Sequence, residues 1–148
     1  MKIPSKKLQD VQLGSPIISD GTYHARLSLK QLDKERKETK SEKEIYTINI
    51  AHEILEPVTL REDGSPLKGN ATVYKSIPVQ NENYDYVADF AKIANALGYD
   101  LTEDFKTEDI EGKIVKVVVV YEPPRGEYKD KNKVKAWLKA DDNFEIID

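Results

Sequence analysis

The 148-residue chain has no cysteine, which excludes a disulfide framework and any thiolate-held metal or thiol nucleophile. Histidine is nearly absent too: only His24 and His52 exist, too few for most His-based metal sites or nucleophile–histidine–acid triads. The acids between residues 100 and 111 have neither calcium-loop spacing nor a nuclease-like pair followed by a strand lysine, and no glycine loop is built to cradle phosphate. These absences predict a non-enzyme without cofactor or metal. No apolar run approaches a membrane span, and the opening MKIPSKKLQDVQLGSP lacks an apolar core of signal-peptide size. The expectation is a soluble cytoplasmic protein with no membrane contact.

What is present is charge, and it is unevenly spread. The net value is −4. Residues 141–148 hold four acids and no base, which leaves the other 140 residues neutral. Residues 111–140 carry eight bases against four acids, whereas residues 81–110 carry two bases against eight acids. An overall acidic balance argues against a nucleic-acid partner, but a basic segment beside an acidic one permits it. The chain reads as an N-terminal arm (1–19), one domain (20–140) and an acidic tail (141–148).

Strand signals dominate. In GTYHARLSLK, Tyr23, Ala25, Leu27 and Leu29 alternate with His24, Arg26, Ser28 and Lys30. A mixed-charge stretch, residues 31–43, reads as a long connection. Residues 44–55 restore alternation, with Tyr46, Ile48, Ile50, His52 and Ile54 on one face. A turn at Asp63-Gly64-Ser65-Pro66 makes residues 56–70 a hairpin-like excursion, and residues 72–79 form a third strand. The one helix is expected over residues 84–97, capped by Asn83, with Val87, Phe90, Ala91, Ala94 and Leu97 inward and Gly98 as its stop. One or two helical turns follow, with Thr102 and Thr107 as caps. The β-branched run of residues 114–121 is the strongest strand. In the last strand Val134, Ala136 and Leu138 oppose Lys133, Lys135, Trp137 and Lys139.

Three strands, a helix and two strands fit a mainly β fold, a five-stranded Greek-key barrel of the oligonucleotide-binding type with a helix between strands three and four. The alternative is an open antiparallel sheet with one packed helix. The segments ISDGTYHARLSLKQ, EIYTINI, YVADFAKIANALGYDL and IEGKIVKVVVVYEPPRGEYKDKNKVKAWLKA resemble the small phage-encoded proteins long catalogued as a domain of unknown function. The likeness spans residues 19–140 and is carried by Gly21 and Tyr23, the Leu97-Gly98 helix end, Gly112-Lys113 and Asn132. That resemblance implies an oligonucleotide-binding barrel that holds single-stranded DNA during phage replication or recombination, in the host cytoplasm. The mixed-charge loop and the long excursion depart from the simplest version of the pattern.

A single strand is held by phosphate neutralisation and by stacking on aromatic rings. Lys133, Lys135, Trp137 and Lys139 offer both on one strand face, unless Trp137 turns inward and the lysines merely guard an edge. Arg26 and Lys30 extend that face along the first strand. Tyr74 and Lys75 point oppositely, so one of them meets the groove. The connection before the last strand adds Arg125, Tyr128, Lys129 and Lys131, while Tyr23, Tyr46, Tyr121 and Phe90 fall in the apolar registers. The tail, with Asp141, Asp142, Phe144, Glu145, Ile146, Ile147 and Asp148, resembles in composition the acidic ends by which single-strand binding proteins recruit replication and repair partners. The competing class is a non-catalytic interaction module, a phage regulator or adaptor on the same barrel. A virion component is a further option.

Overall fold

The computed structural model describes residue 2 and residues 16–31, 47–79 and 83–144, with the backbone alone at positions 30 and 31. The mixed-charge loop, Tyr46, most of the arm, the Lys30 side chain and the tail residues Glu145, Ile146, Ile147 and Asp148 lie outside what is described. Alternating apolar residues produce five strands: β1 (Gly21–Gln31), β2 (Thr47–Ile54), β3 (Thr72–Pro78), β4 (Ile114–Glu122) and β5 (Lys131–Leu138). All pairings are antiparallel, in the order β3-β2-β1-β4-β5. Central β1 is shared by its neighbours: Gly21 to Arg26 pair with β4 and Ala25 to Gln31 with β2.

The inward rows of β1 and β2 are those of the expected alternation, while β3 and β4, without an expected inward row, each bury one alternating set. Ala25, Leu27, Ile50, Ile54, Val73, Ile77, Val115, Val117 and Val119 form the core, joined by Ile18, Ile110 and the helix. Ile18 belongs to the stretch expected to be an arm. Its N–H donates to Asn132 Oδ1 at 2.8 Å and its carbonyl accepts from Asn132 Nδ2 at 3.0 Å, so the second residue of β5 fastens this segment to the sheet.

Helix α1 (Tyr86–Ala96) begins two residues later than expected: Asp85, not Asn83, caps it by accepting the Ala88 N–H at 3.2 Å. A carboxylate is favoured over an amide there because it also meets the positive helix end. Phe90, Ile93, Ala94 and Ala96 face inward, while Val87 is exposed. Gly98, at φ 83°, closes the helix by donating to Asn95 O. A short 3₁₀ turn, Thr107–Ile110, then buries Ile110 and leads through Gly112 into β4.

Of the two expected architectures, the open antiparallel sheet with one packed helix is the one the described residues form. No hydrogen-bonded ladder joins β3 to β5 among the described residues, so the sheet is open at that seam. The two strands nevertheless lie against each other, and α1 packs against both. Side chains occupy the place of a ladder: Lys75 Nζ on β3 sits 5.9 Å from the ring centre of Trp137 on β5. No helix among the described residues is long and apolar enough to cross a membrane.

Candidate nucleic-acid interface

Trp137 requires the main correction. It was expected on an open lysine face, but it is buried, with 8% of its surface exposed. The reason is a β-bulge. Val118 pairs with Ala136 and Val119 pairs with Val134, which leaves Lys135 as the extra residue. One extra residue reverses the parity of everything beyond it. Val134 and Trp137 both turn inward, and Leu138, expected in the core, is exposed. Inside, the Trp137 Nε1–H donates to His52 Nε2 at 3.0 Å while the His52 Nδ1–H donates to Val73 O at 2.8 Å. This assigns a neutral imidazole, and burial lowers the His52 pKa to about 4.

With Trp137 withdrawn, the expected basic face divides. Lys133 and Lys135 remain exposed on the outer side of β5, and Lys139 lies 3.7 Å from Asp142. Arg26 lies 3.9 Å from Glu53 on neighbouring β2. Lys75 shares the inner face of β3 with Val73 and Ile77, and Tyr74 is therefore the outward member of that pair, 45% exposed.

Tyr74, Lys129 and Lys131 are brought together elsewhere, in an open groove of about 760 Å³ between the start of β3, the residue 56–70 excursion and the β4–β5 connection. Thr72 and Asn132 also line it. The connection is a tight turn: Arg125 and Tyr128 exchange backbone hydrogen bonds of 3.0 and 2.8 Å around Gly126, whose φ is 53°. That turn leaves the Tyr128 ring 80% exposed, outside the groove lining.

Two groove residues were not anticipated as binders. Tyr121, at the inner-face end of β4, falls in the apolar register of its strand but is only partly buried. Arg61, in the excursion, has no periodic or motif signal at all. The Arg61 guanidinium lies 3.9 Å from the centre of the Tyr121 ring, a cation–π contact, and its Nη1 is 3.4 Å from Asp20 Oδ1. The Tyr121 hydroxyl donates to Asp130 Oδ2 at 3.1 Å, which raises the phenol pKa. The excursion holds Arg61 in place because its N–H donates to Ile17 O at 3.0 Å and because Leu60 bridges Ile18. At the excursion tip, Asp63 accepts from both the N–H and the hydroxyl of Ser65, and Gly64 takes φ 71°.

The tail also has a defined beginning. Phe144 stacks on His24 with ring centres 3.8 Å apart and planes 5° from parallel. The Asp141 N–H donates to His24 Nε2 at 3.1 Å, and the Asp141 carboxylate reaches Lys116 Nζ at 2.8 Å. His24 Nδ1 then donates to Glu56, which also accepts the His24 backbone N–H. Residues 141–144 therefore cover the outer face of β1 and β4, which explains why His24 is buried on a face that the alternation leaves outside. No protein-family model matches this chain, and no match is found among curated proteins.

Proposed function

We propose that the protein binds single-stranded DNA without catalysis, through the groove between β3 and the β4–β5 connection. The observation that carries this reading is the meeting of stacking surface and cations in one concave strip: Tyr74 and Tyr121 with Arg61, Lys129 and Lys131, which outnumber the lining acids Glu62 and Asp130. Tyr128, next in sequence to Lys129, is exposed and outside the groove lining. Cations neutralise the phosphates, and each stacked base contributes roughly 1 to 3 kcal/mol whatever its identity. Binding of this kind tolerates sequence changes and weakens with salt.

We read the fold as a variant of the oligonucleotide-binding barrel whose third and fifth strands meet through side chains, and the chain as a relative of the phage proteins it resembles. Its work would be to coat or protect strands in replication or recombination. The tail is proposed to meet replication or recombination proteins, but Asp141 and Phe144 are already engaged on β1 and β4. Recruitment through them requires their release.

Fluorescence anisotropy of a labelled oligo-thymidine tests the reading. Wild-type protein binds at low salt, Tyr74→Ala loses about tenfold, and Lys129→Ala/Lys131→Ala loses at least as much, in line with the contribution of one stack. Absence of wild-type binding at low salt would overturn this function in favour of the interaction module.

A further inference from the structure

We infer that Arg61 is a ligand-exchanging residue of the groove and that Asp20 is its internal competitor: a phosphate takes the place of the Asp20 carboxylate on the guanidinium when a strand binds. This rests on the single-strand reading above and concerns how the same site is regulated.

The geometry sets up the exchange. Arg61 is anchored at its backbone, by the bond from its N–H to Ile17 O and by the Leu60–Ile18 bridge. The segment that accepts those bonds is itself held to β5 by Asn132. The long side chain above this anchor is 44% exposed, lies over the Tyr121 ring and makes one contact of 3.4 Å with a carboxylate that is itself 54% exposed. A single long contact between exposed partners is weak. A phosphate offers several anionic oxygens to the same planar fork and can be gripped bidentately.

Tyr121 gives the exchange a second consequence. Its hydroxyl donates to Asp130. The guanidinium covers one ring face in the ligand-free protein. Movement of Arg61 toward a phosphate uncovers that face for a base, so charge neutralisation and stacking are delivered by one side-chain displacement. Asp20 thus lowers affinity in the resting state and keeps the arginine from capturing unrelated anions.

The test is a double-mutant cycle in oligo-thymidine binding, using wild type, Asp20→Asn, Arg61→Ala and Asp20→Asn/Arg61→Ala. Asp20→Asn binds about two- to fivefold tighter than wild type at low salt, the range expected from one exposed ion pair. Arg61→Ala binds more weakly and has a salt slope shallower by about 0.7, the loss of one neutralised phosphate on a single strand. In the Arg61→Ala background the Asp20→Asn gain disappears.

Two failures are distinguishable. Binding by wild type with the same Asp20→Asn gain in both backgrounds makes Asp20 a general negative charge and overturns the exchange alone. No binding by any of the four proteins overturns both the exchange and the DNA function.

Discussion

Trp137 was the residue on which the sequence offered the most chemistry, and its true role is to satisfy His52. The pair is buried, and the imidazole has one ring nitrogen on Val73 O and the other on the indole. Trp137→Phe removes the donor and leaves His52 Nε2 without its partner, an expected loss of about 1 to 3 kcal/mol in urea unfolding at neutral pH. Acid acts on the same group. His52 has a native pKa of about 4, whereas an unfolded histidine titrates near 6.5. Between these values the unfolded chain binds a proton that the native chain refuses, so this contribution to stability is full above pH 6.5 and is lost as pH falls towards 4. The total is about 3 kcal/mol. Urea midpoints measured from pH 7 to pH 4.5 should fall accordingly, and His52→Leu should remove that part of the slope. Alternation correctly placed His52 inward. It misplaced Trp137 because period-two reasoning assumes an unbroken ladder, and no residue type around Lys135 announces the bulge.

At the scale of elements, the bulge makes an unusual prediction about deletions. Removing one residue from a regular strand turns its inner row outward. Deleting Lys116 from β4 moves either Val115 or the Val117–Val119 side out of register, and this variant should not fold. Deleting Lys135 removes only the extra residue and leaves Val134 and Trp137 inward on a regular ladder. It should fold with Trp137 fluorescence still at the short wavelengths of a buried indole. An indole emission shifted to that of exposed tryptophan would contradict the register. The tail segment is a second element with a structural task. Phe144→Ala removes the ring stacked on His24 and should cost about 0.5 to 1.5 kcal/mol, with His24 becoming open to imidazole-modifying reagents. Composition alone pointed to a partner-recruiting tail, because the partner of residues 141–144 is a face of β1 and β4 distant in sequence.

For the whole molecule, the order of strands and helix was legible because each alternating run is bounded by glycine, proline or charge. The seam between β3 and β5 was not, since a sequence records which residues face inward but not whether two edges meet by backbone or by side chains. The candidate site was half legible for the same reason. Tyr74, Lys129 and Lys131 converge in the groove lining, whereas Tyr128 and the outer cations Lys133, Lys135, Lys139 and Arg26 are absent from it. This division has a measurable signature. Three cations, Arg61, Lys129 and Lys131, line the groove and would meet a strand bound there. Each phosphate neutralised on a single strand contributes about −0.7 to the slope of log affinity against log salt, so the groove predicts a slope near −2. Engagement of the four outer cations as well would bring it to about −5 by the same reckoning. Lys133→Gln/Lys135→Gln should therefore leave the slope unchanged, and Lys129→Gln/Lys131→Gln should reduce its magnitude by about 1.4. A steeper wild-type slope that falls on replacing Lys133 and Lys135 would move the binding path onto the outer face of β5.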